Sequence, residues 1–165
     1  MFTVAILTLS DKGSRGERED ISGKVIGDIV ISTFDCRVVK YEIVPDEKDV
    51  IINKLTEWAD GGGVDVILTT GGTGLASRDI TPEATLAVID REVPGIPEAV
   101  RAGTLNKTPM AMLSRAVAGM RKKTLIINMP GNPKAVRECL EVIGKALPHA
   151  VEIMTGTYTE HPEVR

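Results

Sequence analysis

The stretch of this sequence best suited to binding an anion is a glycine-rich turn between a predicted strand and a predicted helix. An apolar, β-branched run over residues 64–69 predicts a buried strand. Glycine occupies three of the next positions, 71, 72 and 74, where backbone can approach a ligand without a Cβ in the way. Thr-Pro-Glu at residues 81–83 then predicts a helix start, with the threonine as N-cap. The backbone N–H groups at such a strand–turn–helix junction can bind phosphate.

Residues 71–74, called the glycine turn below, match neither common nucleotide-binding fingerprint. No G-x-x-x-x-G-K-[ST] pattern occurs in the chain, and a G-x-G-x-x-G pattern fails at Ser77. A dinucleotide oxidoreductase is therefore disfavoured. From this pattern alone two interpretations stay open: a phosphate-bearing ligand at the turn, or a tight turn whose glycines only satisfy backbone geometry.

Polar side chains also follow two earlier predicted strands. Ser10 follows an apolar run at residues 3–9, and Asp46 follows a strand predicted over residues 37–44. Asp46 can N-cap the helix after it. Its carboxylate could also hold a hard cation such as Mg²⁺ against substrate phosphates.

A second glycine-bearing turn, at residues 130–134, follows the buried strand predicted over residues 124–129. It opens a helix that we expect Pro148 to kink or break. Residues 111–120 form a mostly apolar run that is too short for its pattern to distinguish a helix from a strand.

The alternation of strands and helices predicts the fold class. We expect an α/β fold, a three-layer sandwich with a mostly parallel β-sheet covered by helices on both faces. Right-handed crossovers would bring the carboxyl ends of the strands to one edge, and with them the polar loops. No linker interrupts the pattern, so we expect a single domain over residues 1–157 and a C-terminal tail at 158–165.

Composition narrows the function classes. The hydrophobic share is 42% and the charged share 26%, typical of soluble globular proteins. A net charge of −3 and an aromatic share of 3% argue against nucleic-acid binding. Cys36 and Cys139 lack metal-site spacing and are expected to be free thiols. No apolar run is long enough to cross a bilayer, and we expect a cytoplasmic protein that does not bind membranes.

Four segments together resemble the molybdopterin adenylyltransferase family, the MogA-like proteins of molybdenum-cofactor synthesis. They are Thr-Thr-Gly-Gly-Thr-Gly at 69–74, Arg-Asp-Ile-Thr-Pro-Glu-Ala at 78–84, Leu-Ser-Arg at 113–115 and Pro-Gly-Asn-Pro-Lys at 130–134. The resemblance extends over nearly the whole chain. The loops Leu9-Ser-Asp11 and Val44-Pro-Asp46 are similar to the family's as well.

The resemblance implies an activity. Members bind MgATP and molybdopterin, transfer AMP from ATP to the terminal phosphate of molybdopterin, and release pyrophosphate. It further implies a homotrimer and hand-over of the product to the molybdate-inserting enzyme. The alternative is a non-catalytic molybdopterin-binding or carrier protein of the same fold.

The resemblance also implies site residues. Asp46 and Asp79 are expected to be catalytic and to hold Mg²⁺. The residues expected to bind nucleotide or phosphate are Thr70, Gly71, Gly72, Thr73, Gly74, Gly131, Asn132 and Lys134. Those expected to bind molybdopterin are Ser10, Ser114 and Arg115.

Overall fold

A six-stranded sheet organises the structure, a computed structural model that describes residues 1–158. The strands are β1 Phe2–Leu9, β2 Cys36–Val44, β3 Val66–Thr70, β4 Arg91–Glu92, β5 Ala118–Arg121 and β6 Thr124–Met129. They lie in the order β2-β1-β3-β6-β5-β4. The first four in this order are parallel, whereas β5 is antiparallel to both of its neighbours.

Seven helices in the described residues connect or cover these strands. They are α1 Asp11–Ser14, α2 Ile21–Thr33, α3 Lys48–Asp60, α4 Thr81–Leu86, α5 Gly95–Thr104, α6 Pro133–Ile143 and α7 Leu147–Thr155. A 3₁₀ helix, Pro109–Leu113, lies between α5 and β5.

The sheet carries a hydrophobic core on each face because successive strand side chains point to opposite sides. In β1, Val4 and Ile6 pack into the core that α2, α6 and α7 cover. Ala5 and Leu7 pack instead into the core beneath α3 and α4, around the buried Trp58. The structure confirms the predicted three-layer α/β sandwich with a mostly parallel sheet.

Two predicted helix caps are wrong. Helix α3 begins at Lys48 with Glu47 in the cap position and no side-chain cap bond, because the carboxylate of Asp46 bonds to the loop after β1 instead. Helix α4 has Ile80 in the cap position, and the hydroxyl of Thr81 turns back to the glycine turn. In both cases a partner from a distant loop replaces the local one.

The remaining differences concern boundaries. β3 covers Val66–Thr70 rather than residues 64–69. The ambiguous segment 111–120 divides between the 3₁₀ helix and β5. The helix after the second turn ends at Ile143, and Pro148 lies in the first turn of a separate helix, as the predicted break requires. The predicted tail mostly lies outside the described residues, which end at 158, so the domain boundary stays a prediction.

Within residues 1–158, no helix combines the length and the apolar character that crossing a membrane requires.

Candidate active site

The carboxyl ends of β1, β2, β3 and β6 meet at one edge of the sheet, and the loops that follow them are joined by hydrogen bonds. The N–H of Ser10 donates to the carbonyl of Val44 at 2.9 Å, joining the loop after β1 to the end of β2. The N–H of Gly71 donates to the carbonyl of Met129 at 3.1 Å, joining the glycine turn to the end of β6. The loops that alternation predicts at one edge therefore meet there.

At Gly71 and Gly72 the glycine turn is packed too closely against the protein to admit a side chain. Gly71 and Gly72 have φ of 102° and 67°, which L side chains rarely adopt. A Cβ at Gly71 would lie 2.5 Å from the carbonyl oxygen of Leu9. A Cβ at Gly72 would collide with Oγ1 of Thr81 and lie 3.3 Å from Oδ1 of Asp46. The turn needs glycine for its backbone conformation and also because neighbouring groups lie so close. One of those groups is the carboxylate of Asp46, a predicted catalytic residue.

Asp46 is half-buried and forms a reciprocal pair with Asp11 in the loop after β1. The N–H of Asp11 donates to Oδ2 of Asp46 at 3.0 Å, and the N–H of Asp46 donates to Oδ1 of Asp11 at 3.1 Å. Burial raises the pKa of Asp46, and the negative charges of Asp11 and Asp79 add to the rise. A cation bound beside this carboxylate would relieve that cost.

Asp79 closes a small loop that follows the glycine turn. Its Oδ2 accepts from the N–H of Ala76 at 3.0 Å, and its own N–H donates to the carbonyl of Ala76 at 2.9 Å. A Cβ on Gly74 would lie 2.9 Å from Oδ2 of Asp79, so this carboxylate also borders the turn. Asp46 lies against Gly72 and Asp79 against Gly74, so the two carboxylates border the same turn rather than opposite sides of the molecule.

Arg78 links the rim of this region. Its guanidinium donates to both carboxylate oxygens of Asp11, at 2.6 and 2.9 Å, and to Glu47 at 2.8 Å. The hydrogen bond from Arg78 lowers the pKa of Asp11. Arg78 therefore keeps Asp11 ionised beside Asp46 while remaining exposed itself.

Arg115 makes its polar contacts with the protein itself. Its Nε donates to the carbonyl of Gly74 at 2.7 Å, and its Nη2 donates to the carbonyl of Asp79 at 2.5 Å. Its Nη1 pairs with the carboxylate of Glu83. The side chain lines neither of the cavities described next, and molybdopterin contact by Arg115 stays a prediction.

Two cavities share the glycine turn and the turn after β6. The larger, about 530 Å³, is mostly apolar and lies beside α5, α6 and the 3₁₀ helix. The smaller, about 320 Å³, lies beside the start of α2. Predicted site residues at the larger cavity are Thr73, Gly74, Ser114, Asn132 and Lys134. Those at the smaller cavity are Ser10, Thr70, Gly71 and Gly131. Each cavity is thus lined by residues predicted to bind nucleotide or phosphate together with one predicted to bind molybdopterin.

Two predicted ligand-binding side chains also have structural roles. Oδ1 of Asn132 caps α6 by accepting from the N–H groups of Lys134 and Ala135, at 2.9 and 3.3 Å. Oγ of Ser10 caps α1 by accepting from the N–H of Gly13 at 3.0 Å. Each of these oxygens therefore already accepts a hydrogen bond from the backbone. A ligand would contact the other polar groups of Asn132 and Ser10.

A polar cluster at the smaller cavity was not predicted from the sequence. Asp20 caps α2 and also accepts from the hydroxyls of Thr8 and Tyr41. Burial raises the pKa of Tyr41, and the hydrogen bond to Asp20 adds to the rise. The sequence signal that could have indicated this cluster was the position of Asp20 just before a predicted helix. That position by itself indicates only an N-cap.

Within residues 1–158, no group of three or more His, Cys, Asp or Glu side chains is arranged to hold a metal ion. Asp46 and Asp79 nevertheless each keep one carboxylate oxygen, Oδ1, outside the protein's hydrogen bonds in the described part of the chain. Mg²⁺ is commonly held by one or two carboxylates together with substrate phosphates. The donor set therefore fits a magnesium ion that arrives with a phosphate ligand.

The fold and this edge define an α/β protein of the class whose ligand site lies at the carboxyl ends of a mostly parallel sheet. The sequence profile of the probable molybdopterin binding domain family matches residues 5–149, and the chain belongs to this family. The family resemblance drawn from the sequence is confirmed.

Similar proteins are known by sequence and by structure. The molybdopterin adenylyltransferase of Helicobacter pylori (strain J99) is 45% identical over 159 residues, which make up 95% of this chain and 90% of that protein. The molybdopterin adenylyltransferase of Escherichia coli (strain K12) is 37% identical over 175 residues, covering 98% of this chain and 90% of its own. The crystal structure of the molybdopterin biosynthesis enzyme MoaB from Thermus thermophilus superposes with a TM-score of 0.89 at 54% identity, covering 94% of this chain and 98% of its own.

Proposed function

We propose that this chain is a molybdopterin adenylyltransferase: it transfers AMP from MgATP to the terminal phosphate of molybdopterin and releases pyrophosphate. The single observation that carries the proposal is that Asp46 and Asp79 border one glycine turn, which lines both cavities although neither carboxylate does. The names of the relatives at 45% and 37% identity support the same activity.

The reaction needs no nucleophile from the protein. A phosphate oxygen of molybdopterin attacks the α-phosphorus of ATP, and the bond from that phosphorus to the pyrophosphate group breaks. The enzyme's task is to align two anions and to offset their repulsion. Alignment alone can contribute about 7–11 kcal/mol in well-oriented systems, and electrostatic stabilisation of the developing charge adds to it.

Asp46 and Asp79 would hold the magnesium ion through their free oxygens, and bound magnesium would supply charge neutralisation at the phosphates. Asp11, itself held by Arg78, would keep Asp46 in place. The two reciprocal bonds, each from a backbone N–H to the other residue's carboxylate, fix the direction of the Asp46 carboxylate before any ligand binds.

The two turns would supply donors for the phosphates. Thr73 and Gly74 of the glycine turn line the larger cavity, where the exposed Lys134 lies beside Asn132. Thr70, Thr73, Gly74 and Gly131 line the cavities around this point. Ser10 and Ser114 would contact molybdopterin, each from a different cavity.

The assembly and the cellular setting belong to the proposal as well. A homotrimer in the cytoplasm, which hands its product to a molybdate-inserting enzyme, is the arrangement that the family resemblance suggests. Light scattering of the pure protein tests the trimer, which should have three times the 17.7 kDa mass of the chain. A mass of one or two chains would contradict it.

The activity is tested by incubating the pure protein with MgATP and molybdopterin and measuring pyrophosphate. We expect release that needs both substrates and stops when magnesium is chelated. Tight molybdopterin binding without pyrophosphate above background would instead identify a carrier protein of the same fold.

A further inference from the structure

We propose that Arg115 is a positioning residue, which holds the loop that carries Asp79 in the geometry that the reaction needs. The proposal rests on the proposed adenylyl transfer, but its geometric part can be tested without it. It differs from a direct contact between Arg115 and molybdopterin, which the family resemblance implies.

One guanidinium ties both ends of the loop between Gly74 and Asp79. Its Nε donates to the first carbonyl of this loop at 2.7 Å, and its Nη2 donates to the last at 2.5 Å. The backbone N–H of Arg115 adds a bond to the carbonyl of Thr73 at 2.9 Å. The segment before β5 therefore clamps the end of the glycine turn and the loop that follows it.

The third contact anchors the clamp to a helix. Nη1 of Arg115 pairs with Oε1 of Glu83 in the first turn of α4. Oε2 of Glu83 is buried and has no hydrogen-bond partner within residues 1–158. Leaving a buried carboxylate oxygen unpaired is costly. Glu83 therefore holds Arg115 through Oε1 while its other oxygen stays without a hydrogen bond.

Only an arginine can make this set of contacts. A guanidinium presents five N–H donors in a rigid, planar fork, and here three nitrogens reach three different acceptors. A lysine offers one nitrogen on a flexible stem, and it cannot span Gly74, Asp79 and Glu83 together. Charge alone would therefore not replace the residue.

The clamp acts on catalysis through Asp79. The carboxylate of Asp79 is oriented by its bond from Ala76 inside the same loop, so loosening the loop ends would release both. A misplacement of about 1 Å can cost about 100-fold in rate. The charge-conserving change Arg115→Lys isolates this effect.

The test compares Arg115→Lys with a matched control. Arg121 also donates to a carboxylate, Asp60, and to a carbonyl, that of Val88, at the opposite edge of the sheet. We expect Arg115→Lys to lower kcat about 10- to 100-fold with less than about threefold change in KM for either substrate. Arg121→Lys should leave both unchanged.

Two further measurements separate the clamp from other roles. In the double variant Asp79→Asn with Arg115→Lys, kcat should fall no further than in Asp79→Asn alone, because both changes disable one group. A raised KM for molybdopterin with unchanged kcat would show direct contact and overturn the proposal. So would losses that multiply in the double variant.

Amide hydrogen exchange tests the geometry independently of activity. We expect exchange at Ala76 and Asp79 to be at least about tenfold faster in Arg115→Lys, and unchanged in Arg121→Lys. Unchanged exchange in Arg115→Lys overturns the proposal whatever the rates are. If Arg115→Lys does not fold, Glu83→Gln removes the charge of the anchor and should speed the same amides. An absence of pyrophosphate release by the unaltered protein would refute the proposed function, whereas the exchange would still decide the clamp.

Discussion

For single residues, a comparison of Gly72 with Gly62 separates two reasons for glycine: a left-handed backbone conformation and the close approach of neighbouring side chains. Gly72 has φ of 67°, and Gly62 has φ of 75° with nothing within 4 Å of where its Cβ would lie. Gly72→Ala and Gly62→Ala should therefore each lose about 1–2 kcal/mol from left-handed backbone strain. Only Gly72→Ala should also displace Thr81 and Asp46, which adds to its stability loss and should lower turnover at least tenfold. Denaturant unfolding and pyrophosphate release measure the two effects; equal turnover in both variants would contradict the close-approach explanation.

Asp46 should reduce the stability of the free protein at neutral pH. Its folded pKa is raised by burial and by the charges of Asp11 and Asp79, while the hydrogen bond from the N–H of Asp11 and the charge of Arg78 oppose the rise. The unfolded chain therefore ionises first, and the folded state loses relative stability as pH rises above the unfolded pKa of about 3.9. In EDTA, Asp46→Asn should melt at a higher temperature than the unaltered protein at pH 7, and at the same temperature near pH 3, where both forms are neutral. A lower melting temperature of Asp46→Asn at pH 7 would contradict the assigned burial.

At the scale of elements, buried threonine hydroxyls fasten loops at the two edges of the sheet. Thr81 donates to the carbonyl of Gly71 at 2.9 Å, and Thr124 donates to the carbonyl of Val64 at 2.7 Å. Thr81→Val and Thr124→Val should each cost about 1–3 kcal/mol, since each leaves a carbonyl unpaired. Only Thr81→Val should also lower turnover, because only Gly71 belongs to the site. Thermal melts and pyrophosphate assays compare them, and loss of turnover in both would point to a global effect.

The elements themselves were largely predictable from local pattern, whereas their side-chain partners were not. β1 begins one residue earlier than predicted, because Phe2 already pairs with Cys36 of β2. The cap roles expected of Asp46 and Thr81 fail because each bonds to a residue that local spacing does not reveal: Asp11, 35 positions earlier, and Gly71, ten positions earlier. A cap rule sees only the next three or four residues.

At the scale of the whole molecule, the topology explains why distant residues share one site. Parallel strands joined by crossovers place their carboxyl ends together, so alternation alone predicts that the loops converge. The alternation does not predict that this region forms two separate cavities. The two cavities are shaped by α5, α6 and the 3₁₀ helix on one side and by α2 on the other. These positions depend on tertiary packing of the two cores.

The proposed function requires Asp46 and Asp79 to act as one unit at the glycine turn, and single-turnover pyrophosphate release measures whether they do. The rates to compare are those of Asp46→Asn, Asp79→Asn and the double variant, with MgATP and molybdopterin saturating. We predict that each single change lowers the rate by on the order of 100-fold or more. The double variant should lie within a few-fold of the slower single variant, because removing either member disables the pair. Losses that multiply, or rates that stay unchanged, would contradict the account.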